Sequence, residues 1–128
     1  MVLTDTSVVI DWLRAPTPRL LGIITGHRAA ICGITVAEVF AGARTPAELA
    51  HYPVALSVFG TVAIPPDVWQ RVGQNLFLCR RAGVTVPLAD AVIATMAIDS
   101  GVELWTYDAH FALMQGALPA LKLFVEPP

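Results

Sequence analysis

Charge is scarce in this sequence of 128 residues: Asp, Glu, Lys and Arg make up 14% of it, against about 25% in an ordinary soluble domain. With 55% of residues apolar, the chain can fill a core and keep apolar side chains in reserve. Such a surplus points to a partner or to a second copy of the chain. Basic residues are not in excess either. Eight Lys and Arg stand against ten Asp and Glu, a formal charge of −2, so no overall cationic field marks a polyanion binder. Cysteine is nearly missing. Cys32 and Cys79 lie far apart, form no C-x-x-C pair, and read as small core residues in a reducing compartment. His27, His51 and His110 are scattered and read as surface or loop residues, which leaves no Cys/His cluster for zinc. Neither G-x-x-x-x-G-K-[ST] nor G-x-G-x-x-G occurs, so a nucleotide-binding fold is unsupported. The apolar run between Pro53 and Pro66 is too short, and too broken by Gly and Pro, to cross a bilayer. The first residues show no basic stretch followed by an apolar core. The expectation is a soluble cytoplasmic protein with no membrane association, a single domain over residues 1–128.

What is present is an alternation of strand and helix signals. A short apolar run reaches Leu3-Thr4-Asp5-Thr6-Ser7 and predicts a first strand with a carboxylate at its end. Thr6 or Ser7 can cap the helix that follows, to about Leu13 or Arg14. Thr17 caps a second helix with Pro18 at its first position and Gly26 at its end. Ala29–Cys32 reads as strand two. Thr35-Val36-Ala37-Glu38 and Thr45-Pro46-Ala47-Glu48 fit capping boxes that open two further helices, the second stopped by Gly60. Thr61–Ile64 reads as strand three. The helix opened by Pro65-Pro66-Asp67 carries Val68, Val72, Leu76 and Cys79 on one stripe and closes at Arg80, Arg81 and Gly83. Leu88–Ser100 is apolar nearly all round, which predicts a buried central helix. Glu103–Thr106 reads as strand four, followed by a short helix with Phe111 and Met114, and Leu121–Val125 as a last strand. Strands alternating with helices imply a three-layer α/β/α fold around a mostly parallel sheet.

Four acidic residues fall at matching places in that plan. Asp5 ends strand one and Asp108 lies just past strand four. Glu38 opens the helix after strand two, and Asp90 is near the start of the buried helix. With parallel strands all four lie at one sheet edge, where open α/β sheets bind ligands. Each also has a local reading: Glu38 completes a capping box, and Asp5 and Asp108 cap the helices ahead of them. Asp90 is the hardest to explain that way, because its helix is otherwise apolar and a charge beside a buried face is rarely left unpaired. No Arg or Lys lies within these motifs to neutralise them. Clustered carboxylates cannot all ionise without a cation. Mg²⁺ typically takes one or two carboxylates, waters and substrate phosphate, which suits phosphodiester hydrolysis. Setting the four aside leaves six acidic residues against eight basic ones, a mildly basic surface around an acidic hole.

These same stretches carry a resemblance. Leu3-Thr4-Asp5-Thr6-Ser7, Thr35-Val36-Ala37-Glu38, Pro87-Leu88-Ala89-Asp90-Ala91-Val92-Ile93-Ala94 and Thr106-Tyr107-Asp108-Ala109-His110-Phe111 resemble, in order, the signature blocks of PIN-domain ribonucleases. Order and length are most similar to VapC-type toxins of toxin–antitoxin pairs. The resemblance implies a Mg²⁺- or Mn²⁺-dependent endoribonuclease that cleaves RNA, forms a homodimer, and is held inactive in a hetero-oligomer with a VapB-like antitoxin. It implies Asp5, Glu38, Asp90 and Asp108 as the acidic quartet, with Thr6 and Thr106 orienting it. On that reading Asp5 and Asp90 hold the principal metal, Asp108 supports it or a second ion, and Glu38 works through water. An antitoxin segment would cover an apolar groove near helix one, with Trp12, Leu13 and Phe40 as candidates, and place an Arg in the pocket. Two other readings stay open. An aspartyl-phosphate phosphatase would use Asp5 as nucleophile, although Ser7 stands where haloacid-dehalogenase-like enzymes need a second Asp. A non-catalytic RNA- or protein-binding regulatory domain would use the acids to recruit a basic partner.

Overall fold

β1 (Val2–Thr4) runs into α1 (Thr6–Arg14) with one residue, Asp5, between them. The computed structural model describes residues 1–128. α2 (Pro18–Gly26) leads to β2 (Ala29–Cys32), which passes directly into α3 (Gly33–Ala41). α4 (Pro46–Leu56) and β3 (Gly60–Val62) follow, then α5 (Trp69–Arg81), α6 (Leu88–Ser100), β4 (Glu103–Trp105) and α7 (His110–Met114).

The four strands form one parallel sheet in the order β3-β2-β1-β4. After β1 the chain moves to one side to build β2 and β3, and returns to the other side only for β4. The carboxyl ends of β1 and β4 therefore flank the point where strand order reverses. That crevice is where parallel sheets hold their ligands, because helices leave both sheet faces but not this gap.

Helices cover both faces, giving three layers. On one face Val8, Val9, Ile23, Ile24, Tyr52 and Trp105 belong to a core formed with α1 to α4. On the other, Val68, Val72, Ile93, Leu104, Phe111 and Met114 belong to a core centred on α6. α6 is buried continuously from Ala91 to Ala97, as its all-round apolar sequence requires. Cys32 and Cys79 are both buried and free. No helix is long and apolar enough to cross a membrane.

Several local expectations are corrected. α1 is capped by Asp5, whose side chain accepts from the Ser7 amide, and not by Thr6 or Ser7. α3 begins at Gly33, so Thr35 is inside the helix with its hydroxyl buried and unpartnered, and the Thr35–Glu38 capping box does not form. The Thr45 box is half made: Thr45 Oγ1 accepts the Glu48 amide at 3.1 Å, but Glu48 takes the Tyr52 hydroxyl at 2.7 Å in place of reaching back. Gly60 starts β3 rather than stopping α4. Leu121–Val125 is no strand. It touches the sheet as a single parallel bridge, Leu104 with Leu123, made by two backbone bonds of 2.8 Å around Leu104.

Candidate active site

Asp5 owes its place to the strand–helix junction. Its amide donates to Trp105 O at 2.9 Å, which pins the end of β1 to the end of β4. Its backbone is extended (φ −80°, ψ 159°), the geometry of a helix cap. The residue is 5% exposed. Its Oδ2 accepts from Ser7 Oγ at 2.8 Å, Thr106 Oγ1 at 2.9 Å and the Ser7 amide at 3.3 Å. Capping and site geometry are thus the same arrangement. All three donors fall on Oδ2, which leaves Oδ1 without a hydrogen-bond partner in the protein.

Thr106 ties the two strand ends together. While donating to Asp5, its Oγ1 accepts the Asp108 amide at 2.9 Å. Ser7 Oγ also accepts the Tyr107 amide at 3.0 Å. Asp108 is half-buried at the mouth of α7. Its Oδ1 accepts the His110 amide at 2.9 Å and lies 3.5 Å from His110 Nδ1. Glu38, on the second turn of α3, is exposed, and its Oε1 accepts the Thr6 hydroxyl at 2.7 Å. The two threonines implied as orienting residues therefore each hold a different carboxylate.

Asp90 sits in the first turn of α6, half-buried. Burial, and then the charges of Asp5, Asp108 and Glu38, raise its carboxyl from 3.8 to about 6, opposed only by His110. That all three other acids act on it is the electrostatic signature of convergence. None of the ion pairs in the chain engages Asp5, Glu38 or Asp90. By contrast Asp99, on the far side of α6, is paired with Arg71 at 2.6 Å.

The donor set fits a hard divalent cation. Ligand atoms of Asp90, Asp108 and His110 lie within 4.8 Å of one another, a little wider than the roughly 4.2 Å between opposite ligands of an octahedral ion with bonds of about 2.1 Å, so a small inward shift would let them share one ion. Asp5 and Glu38 stand outside that tightest group, each with one oxygen held by a threonine hydroxyl. His110 was legible only as a scattered histidine; its place two residues past Asp108 is what brings it here. Ser7 was legible only as a possible cap.

Beside the acids, α1, α3 and α4 enclose a cavity of about 470 Å³ whose lining includes Leu13, Arg14, Glu38, Arg44, His51 and Tyr52. Of the groove candidates, Leu13 lines it. Trp12 turns inward and its Nε1 donates to Ala55 O at 2.9 Å. Phe40 packs edge-on against Tyr52, centroids 5.9 Å apart, and borders a shallower hollow of about 290 Å³ with Arg44 and Leu49. Outside the pocket, Glu126 accepts from Trp105 Nε1 at 3.0 Å and from Tyr107 Oη, and pairs with Arg19 at 3.1 Å. Burial opposes the Glu126 charge, but these three donors together hold its carboxyl below the usual range.

A parallel sheet with an acidic crevice at its switch point, fed by a strand-end Asp and by helix-borne carboxylates, marks an α/β domain whose site suits a divalent cation. The chain matches the PIN domain over residues 2–116 and belongs to that family, whose members are generally nucleases. No curated protein matches the sequence. Among solved structures, a chain of the DNA-bound VapBC from Salmonella typhimurium shares the fold with a TM-score of 0.81 at 22% identity, covering 97% of this chain and 98% of that one. A chain of the toxin–antitoxin complex from Klebsiella pneumoniae gives 0.69 at 24% identity, covering 94% and 95%. A chain of VapBC-5 from Mycobacterium tuberculosis, a member of the VapBC family of toxin–antitoxin systems, gives 0.70 at 23%, covering 95% of each. Membership of the PIN family replaces the aspartyl-phosphate phosphatase reading.

Proposed function

We propose that this PIN domain is a Mg²⁺- or Mn²⁺-dependent endoribonuclease and the toxin of a toxin–antitoxin pair. The observation that carries the nuclease reading is the convergence on Asp90, half-buried at the start of α6, of the charges of Asp5, Asp108 and Glu38, which with burial raise its carboxyl to about 6. Asp5 and Asp90 hold the principal ion, and Asp108, with His110 beside it, supports that ion or a second one. When bound, the divalent ion supplies positive charge against the phosphodiester and activates water for attack. Glu38 orients that water, and Thr6 fixes Glu38 for the task. Ser7 and Thr106 lock Asp5 through Oδ2 and leave its other oxygen free to bind the ion. Rigid carboxylates of this kind need no reorganisation as charge develops.

The toxin reading draws support from the solved structures that share the fold, which include VapBC and other toxin–antitoxin complexes. An antitoxin segment suits the cavity beside Glu38, where Leu13 offers apolar surface and the acids offer a seat for an incoming Arg. The chain would then exist as a homodimer and, with its antitoxin, as an inactive hetero-oligomer. The test is cleavage of RNA by purified protein with Mg²⁺, Mn²⁺ or chelator. Metal-dependent cleavage is expected for wild type and none for Asp5→Asn or Asp90→Asn, both folded. RNA bound but never cut under any of these metals would favour a regulatory binding domain instead.

A further inference from the structure

Glu126 lies outside the acidic pocket, yet it grips the segment that carries two of the pocket's residues. Its Oε1 accepts from the Trp105 indole at 3.0 Å and from the Tyr107 hydroxyl, while its Oε2 pairs with Arg19 Nη1 at 3.1 Å. Arg19 also donates to Pro127 O at 2.9 Å, so the carboxylate is held from both sides. Trp105 and Tyr107 flank Thr106. Thr106 in turn supports Asp5 and the Asp108 amide.

The stretch from 105 to 108 is therefore held twice, by Asp5 and Ser7 on the pocket side and by Glu126 on the other. The second hold is separable from the docking of the segment that bears it. Backbone bonds of 2.8 Å join Leu104 to Lys122 and Phe124, and the Phe124 ring packs edge-on against Trp105 with centroids 5.4 Å apart. Those contacts remain when the Glu126 carboxylate is removed. What is lost is the only side-chain anchor of Tyr107, which is half exposed.

We infer that Glu126 is a positioning residue: by clamping Trp105 and Tyr107 it sets Thr106 and Asp108 in the register at which the acidic pocket binds its ion. This rests on the metal-nuclease reading above. A group that orients a metal ligand from behind commonly contributes about 10–100-fold to metal affinity, and a clamp acting through the backbone belongs at the low end.

The experiment is Mn²⁺ binding at neutral pH, read from the loss of the free-ion electron paramagnetic resonance signal, with thermal melting in parallel. Wild type is compared with Glu126→Gln, Glu126→Ala and Tyr107→Phe. Glu126→Ala should weaken Mn²⁺ binding about tenfold, and Tyr107→Phe by roughly threefold, while Glu126→Gln, whose amide oxygen still accepts, stays within about twofold of wild type. A purely structural residue would lower the melting temperature and leave affinity unchanged below it. Unchanged affinity in Glu126→Ala, or a loss in Glu126→Gln as large as in Glu126→Ala, overturns the clamp and leaves the nuclease reading standing. If Glu126→Ala does not fold, Tyr107→Phe decides, and wild-type affinity there overturns the clamp. Wild type that binds no Mn²⁺ overturns the metal reading and the clamp with it.

Discussion

Asp90 is the residue at which stability and function pull apart. Its carboxyl, raised from 3.8 to about 6, keeps in the folded state a proton that the unfolded chain has already released between those values. Metal-free stability must therefore fall as pH rises from 3.8 to about 6. The expected result is a melting temperature of the chelated protein that declines across this window, a decline reduced in Asp90→Asn. Divalent cation should recover the loss above the window, since it replaces the proton as the counter-charge. At neutral pH Asp90→Asn should melt higher than wild type without metal while cutting no RNA. A flat melting profile in chelated wild type would contradict the crowding of charge on which the site is built. At the residue scale the gathering of the four acids was legible, because strand ends and an apolar helix make carboxylates conspicuous. The roles of Ser7 and His110 were not legible, since they depend on contacts across the crevice. For Ser7 these are the donation to Asp5 Oδ2 and the Tyr107 amide; for His110, the approach to Asp108.

At the scale of elements, α6 sets the position of Asp90 and is itself set by burial on every side. It ends at Gly101, whose φ of 66° is left-handed and whose amide donates back into the last turn. Nothing stands near a Cβ placed there, so Gly101→Ala should cost about 1 kcal/mol from backbone strain alone. Chemical denaturation should show that loss with cleavage unchanged at low temperature. Trimming Ile93, fully buried in the α6 core, to Ala should cost roughly 2–5 kcal/mol. α2 was fully readable, since Thr17, Pro18 and Gly26 are local signals that tertiary contacts did not override. The start of α3 was not. Thr35 lies buried inside a helix that already begins at Gly33, so the cap its sequence suggests does not form. The segment after Leu121 reads as a strand, but β4 offers it only Leu104 to pair with.

The molecule as a whole brings distant stretches to one gap because its strand order reverses between β1 and β4. The apolar surplus seen in composition is real on the surface: Trp69, Phe77, Leu78 and Leu88 are all exposed on α5 and α6. With the proposed homodimer seated there, Phe77→Glu should shift the protein to monomer in sedimentation velocity, with the fold retained by circular dichroism. A dimer unaffected by that change would place the interface elsewhere. The central claim is that four carboxylates from β1, α3, α6 and the β4–α7 turn form one metal-dependent nuclease centre. Its most direct measurement is mapping of new RNA 5′ ends after incubation with Mg²⁺ of wild type and of Asp90→Asn matched for folding. Defined cleavage sites that appear with wild type and vanish in Asp90→Asn or with chelator are the expected result. Identical cleavage by Asp90→Asn, or cleavage that persists without divalent metal, would contradict it.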